Sequence, residues 1–160
     1  MRKIVTSIVF GILIFYSFCC TLLIFIYNHN VPEVPAIKQD ISETKMFELT
    51  NQYRVDNGLS VLEQNYALCG FSDERLEDIK TDWSHDGFHD LADSFYDEET
   101  HASMIGENLA KDFHSGQEEL IFSSWVHSPT HKANLDNSDF THLCIQCDDE
   151  RCVQSFAVFK

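Results

Sequence analysis

From Ser42 to about Asp56, Met46, Leu49 and Tyr53 recur at helical intervals, and Asn57-Gly58 supplies a left-handed stop. From about Asn65 to Lys80 the stripe is broader, with Leu68, Phe71, Leu76 and Ile79 on one side and Asp73, Glu74, Glu77 and Asp78 facing solvent. Ser115-Gly116-Gln117-Glu118 has the form of a capping box, so a third helix carries Leu120, Ile121 and Trp125 inward and ends near His127. Ser128-Pro129 restarts the chain as N-cap and first helical residue of a short fourth helix, with His131 in its first turn. The period then changes to two. Leu143, Ile145 and Cys147 alternate with His142, Cys144 and Gln146, Asp148 to Arg151 make a turn, and Cys152 to Phe159 run extended, which predicts a C-terminal hairpin. Helices first and strands last predict an α+β domain with helices packed on a small antiparallel sheet. Between the second and third helices no period stands out, so His85 reads as a loop residue and Glu107 as part of a Gly-Glu-Asn turn.

The first 27 residues do not belong to that domain. Ile4 to Tyr27 holds no charged residue, and about 20 apolar residues suffice to cross a bilayer. No small-x-small cleavage site follows, so residues 1–27 are expected to be a cytoplasmic start and an uncleaved transmembrane signal anchor, with cleavage as the alternative. Arg2 and Lys3 keep the N-terminus in the cytoplasm and place the rest outside it. Residues 28–39, with Pro32 and Pro35, read as an extended stalk, and 40–160 as one domain with no internal repeat. All 26 acidic residues lie beyond the anchor, against nine basic ones once Arg2 and Lys3 are set apart from the total of 11, a formal charge of −17. Such a surface excludes nucleic acid as a partner and keeps the domain monomeric, while drawing cations toward it.

Four cysteines remain outside the anchor. Cys69, Cys144, Cys147 and Cys152 suit two disulfides in an oxidising compartment, and a zinc cluster built on Cys144, Cys147 and Cys152 is the competing reading. Cys147 and Cys152 flank the hairpin loop, which favours pairing them and leaves Cys69 for Cys144, one of three possible connectivities.

The chemistry gathers in three ordered motifs. Trp83 to Phe88 reads W-S-H-D-G-F, Gly106 to Ala110 reads G-E-N-L-A, and Ser128 to Leu135 reads S-P-T-H-K-A-N-L. They contribute His85, Glu107 and His131, two imidazoles and a carboxylate of the kind that binds a divalent ion or moves protons. At a helix start His131 is expected to stay neutral and available. Glu107 would bind the ion or orient a histidine from behind it, and His89, four residues after His85, is the reserve ligand. Asn108 and Asn134 read as backbone ties. Trp83, Phe88, Phe113 and Trp125 read as core. No H-E-x-x-H or G-x-S-x-G signature is present.

With Asn51, Arg54, Asn57-Gly58-Leu59, Leu62 and Asn65, these motifs resemble the CAP superfamily, the cysteine-rich secretory, antigen 5 and pathogenesis-related proteins with their bacterial SCP-domain relatives. The resemblance spans about Ile41 to Phe159. Thr130 stands where glycine is usual in the bacterial motif and Lys132 where arginine is usual. The resemblance implies an α-β-α sandwich whose cleft His85, Glu107 and His131 would line, with zinc or another divalent cation as cofactor. The function expected from it is a membrane-anchored, exported, non-enzymatic binding module for a small lipid or peptide. A metal-assisted hydrolase of peptides or cell-envelope material is the alternative.

Overall fold

Among the described residues, three strands and five helices stack as a helical layer, a sheet and a second helical layer. The computed structural model describes residues 39–96 and 102–159. The expected anchor, the stalk up to residue 38 and His101 lie outside them. Among the described residues no helix is long and apolar enough to cross a membrane.

In chain order the elements are α1 (Glu43–Asp56), α2 (Tyr66–Asp78), α3 (Asp86–Phe95), β1 (Ala102–Lys111), α4 (Glu118–His127), α5 (Pro129–Asp136), β2 (His142–Cys147) and β3 (Arg151–Phe159). The sheet is antiparallel throughout, in the order β1-β3-β2. Period-two alternation sends neighbouring residues to opposite faces. On one face Leu143, Cys152 and Phe156 meet Met46 of α1, Trp125 of α4 and Leu135 of α5. On the other, Leu109 and Val153 meet Leu76 and Ile79, while Cys144 and Ala157 meet Leu68 and Phe71, all four partners lying on or just beyond α2. The fold is α+β.

The first helix, the second helix and the hairpin lie where the periodicity puts them. Ser42 caps α1 by accepting from the Lys45 amide, and Asn65 caps α2 by accepting from the amides of Ala67 and Leu68. Disulfides join Cys69 to Cys144, fastening α2 to the sheet, and Cys147 to Cys152 across the hairpin mouth.

Other expectations are corrected. Glu107 is not in a turn; it sits in β1, opposite Ser155 of β3. Glycine, glutamate, asparagine and alanine are poor strand formers, and pairing with β3 overrides that preference. His85 is not in a loop between helices but is the N-cap of α3, with no side-chain capping bond. The capping box does not form. Gln117, not Ser115, is the N-cap of α4, and Glu118 Oε1 accepts instead from the Ser42 and Gly116 amides. Asp78 is half-buried and paired with Arg75. Trp83 is not core: it is 37% exposed, with the Lys111 ammonium 4.8 Å from its ring centre.

Candidate functional site

The middle of β1 is the anchor of the site. Glu107 points to the α2 face and Asn108 to the other, and both are buried. A buried carboxylate requires partners, and Glu107 has two. Arg75, fully buried on α2, donates from Nε to Oε2 at 3.0 Å and from Nη2 to Oε1 at 3.2 Å. His85 Nδ1 lies 2.7 Å from the same Oε1. The remaining capacity of the guanidinium goes to Asp78 and to the Ser84 carbonyl. Gly87, in the first turn of α3, lies so close to the Asp78 carboxylate that a Cβ there would collide with it.

On the opposite face neutral groups hold α5 against β1. Asn134 Nδ2 donates to the Glu107 carbonyl and to Asn108 Oδ1, both at 2.9 Å, and Asn108 Nδ2 donates to Gln154 Oε1 and to the His131 carbonyl. Gly106 permits this approach, since a Cβ would sit 2.9 Å from Phe140 and 3.1 Å from Asn134 Oδ1. Asn108 and Asn134 are therefore ties between backbone segments, as their positions suggest.

These contacts bring His85 and His131 together, with ring centres 6.4 Å apart and planes inclined by 54°. His85 is exposed and His131 half-buried. Burial, and second the neighbouring His85, hold the His131 imidazole below its ordinary value. His89 is exposed on α3 with its ring against Phe88. His127 bonds the Ser123 carbonyl, and His142 lies edge-on to Phe159.

The three expected site residues are thus adjacent, but not equivalent. Both oxygens of Glu107 are taken by Arg75 and His85, so the ring edges of two imidazoles are what faces solvent. One zinc bound at about 2.0 Å to each ring would bring the two centres to roughly 5 Å, a modest closing of the observed pair. Among the described residues no group of three or more His, Cys, Asp or Glu side chains is arranged to hold a metal. The donor set fits a two-imidazole site with a carboxylate behind it. Arg75 is the member of this cluster that the sequence reading missed. Its signal was present: Ser72 and Arg75 occupy positions four and seven after Leu68, on the stripe that otherwise buries apolar side chains.

No family model matches the chain. Over 72% of its length it superposes on an extracellular SCP-domain protein of Bacillus anthracis, with a TM-score of 0.63 and 27% identity. The domain has a CAP/SCP-like fold. The same fold is seen at 19% identity in a cysteine-rich secretory protein of Staphylococcus aureus, TM-score 0.59 over 72% of this chain and 38% of that one. An outer surface protein of Borrelia burgdorferi superposes with a TM-score of 0.62 at 17% identity, covering 76% of this chain and 98% of that one. In sequence the chain is 30% identical over 122 residues to the uncharacterized membrane protein YlbC of Bacillus subtilis, a match that takes in 74% of this chain. It spans 35% of the length of that relative and 40% of the B. anthracis protein.

Proposed function

We propose that the chain is a membrane-anchored, exported CAP/SCP-domain protein whose domain is a non-enzymatic binding module, with its cleft around His85 and His131. The apolar run from Ile4 to Tyr27, Arg2 and Lys3 ahead of it, and the likeness to a membrane protein and to an extracellular SCP-domain protein support the anchoring and export. The observation that carries the binding role is the commitment of Glu107. With both oxygens engaged by Arg75 and His85, the carboxylate is not free to act as a base on a bound molecule, and the two imidazoles are left to make contact. His85 and His131 would hold a divalent ion such as zinc, whose open positions would accept a carbonyl or carboxylate of a small lipid or peptide. A bound ion would supply a Lewis-acid centre; the chain's own part is to fix the two rings and keep His131 uncharged.

The metal-assisted hydrolase is a second reading, favoured by one feature: a buried carboxylate 2.7 Å from a histidine is the base-and-orienter arrangement of general-base catalysis. Zinc calorimetry on the full-length chain in detergent tests the first reading. One zinc is expected to bind, and His85→Ala with His131→Ala is expected to abolish it. No binding to the parent, or unchanged binding to the double variant, overturns the two-histidine site. Peptide turnover that survives in the parent and is lost on chelation would instead favour the hydrolase.

A further inference from the structure

We infer that Arg75 is the positioning residue of this cleft: its guanidinium locks Glu107 and the loop around His85, so that His85 keeps its hydrogen on Nδ1 and turns a bare Nε2 outward. The inference concerns the same site as the reading above, but its geometry does not depend on a metal.

An ionised carboxylate has only lone pairs to offer, so a ring nitrogen 2.7 Å from Glu107 Oε1 carries the hydrogen. A neutral imidazole has one such hydrogen, which leaves Nε2 as the acceptor. What fixes the carboxylate is Arg75, which grips both of its oxygens with two adjacent nitrogens. The rest of the guanidinium brackets His85 itself. Nη2 also donates to the carbonyl of Ser84, the residue before it, and Nη1 to Asp78, against which Gly87, two residues after it, is packed without room for a Cβ. Three segments, α2, β1 and the start of α3, therefore meet at one side chain, and the residue whose flanks they hold is His85.

Stability alone does not account for this arrangement. Arg75 lies on the buried stripe between Phe71 and Leu76, where an aliphatic residue would pack without desolvating a charge, and buried ion pairs are often matched by apolar replacements. Orientation of a partly exposed histidine is what the pair adds.

The test reads the histidine tautomer by long-range proton–nitrogen correlation NMR on the full-length, histidine-labelled chain in detergent at about pH 8, where imidazoles are neutral. The His85 signal is assigned by its loss in His85→Gln. The parent is expected to show His85 as the Nδ1–H form. In Arg75→Lys, which keeps the charge but cannot donate in one plane to both carboxylate oxygens and to the Ser84 carbonyl, His85 is expected to shift to the Nε2–H form that free imidazole prefers. The Trp125 indole, which donates to the Leu109 carbonyl at 3.0 Å, reports whether the sheet is intact. Where Arg75→Lys does not fold, Asp78→Asn is read instead and is expected to give a mixture of both forms. An Nε2–H ring in the parent, or an unchanged Nδ1–H ring in the folded variant, overturns the inference. Zinc that fails to bind the parent while the tautomer result holds would remove the metal reading and leave this inference standing; zinc binding with an Nε2–H ring in the parent would do the reverse.

Discussion

Among the described residues each side of the sheet buries one arginine and one glutamate, and the two sides treat them in opposite ways. On the α2 side Arg75 and Glu107 meet each other. On the α1 side Arg54 and Glu118 both turn to backbone: Arg54 donates to the carbonyls of Ser60, Leu135 and Asn137, and Glu118 accepts from the amides of Ser42 and Gly116. Backbone partners are fixed by the fold, so Arg54 and Glu118 tie elements together and stop there. A side-chain partner has capacity left over, and Glu107 spends it on His85. The charged pair therefore reaches out to His85, and the neutral ties are what hold α5 and His131 in place opposite it.

The sharpest way to break that contrast is to remove one arginine from each layer. Arg75→Ala leaves Glu107 buried with no cation, a loss of about 3–5 kcal/mol. Arg54→Met leaves carbonyls rather than a charge without donors, and is expected to cost roughly 2 kcal/mol. Urea unfolding of the two variants side by side measures both. Equal losses would show that the ion pair is no different in kind from the backbone ties.

The disulfides divide in the same way between a layer and the sheet alone. Cys69–Cys144 closes a separation of 75 residues and ties α2 to β2, whereas Cys147–Cys152 closes a separation of 5 within one hairpin. Loop entropy gives roughly 4.5 kcal/mol for the first and roughly 2 for the second. Replacing each pair with serines and comparing melting temperatures checks the order. A larger drop from the hairpin pair would mean that α2 is held by Arg75 and its apolar stripe without help from the disulfide.

How much of this could be read from residues alone follows from how local each feature is. The hairpin and its disulfide were legible because Leu143, Ile145 and Cys147 alternate and two cysteines flank the turn. The helices α1 and α2 were legible from their apolar stripes and, for α1, from the Asn57-Gly58 stop. The strand β1 was not, because Gly106, Glu107 and Asn108 are poor strand formers whose conformation is set by β3, far away in sequence. The site divides likewise. His85, Glu107 and His131 stand out through their motifs, but the role of Glu107 depends on Arg75, 32 residues earlier, and only the polar interruption of the α2 stripe hinted at it. The capping box failed for a related reason: the Glu118 carboxylate serves the Ser42 amide, 76 residues away, together with that of Gly116.

A smaller effect probes the glycine on which the neutral layer depends. Gly106→Ala would place a methyl 2.9 Å from the buried Phe140 ring and 3.1 Å from Asn134 Oδ1, and overpacking of this kind costs about 1–3 kcal/mol. The displaced Asn134 should move α5, so the His131 ring resonances are expected to shift more than those of His85. Equal shifts would mean that the two layers are coupled across β1 more tightly than their separate ties suggest.

The smallest expected effect concerns acid. Burial pushes Glu118 upward, but the amides of Ser42, Glu118 itself and Gly116, with Lys45 nearby, outweigh it and leave the carboxyl below its usual value. A carboxyl depressed in the folded state stabilises it at every pH above the unfolded value, near 4.3. That contribution is lost as pH falls through the lower, folded value. Glu118→Gln should therefore cost about 1 kcal/mol at neutral pH. It should also flatten the decline in stability below about pH 4.3, because the variant has no proton to take up there. Denaturant midpoints between about pH 6 and pH 3 for parent and variant measure this. Parallel curves would place the acid sensitivity elsewhere and would end the claim that amides hold the Glu118 carboxyl below its usual value.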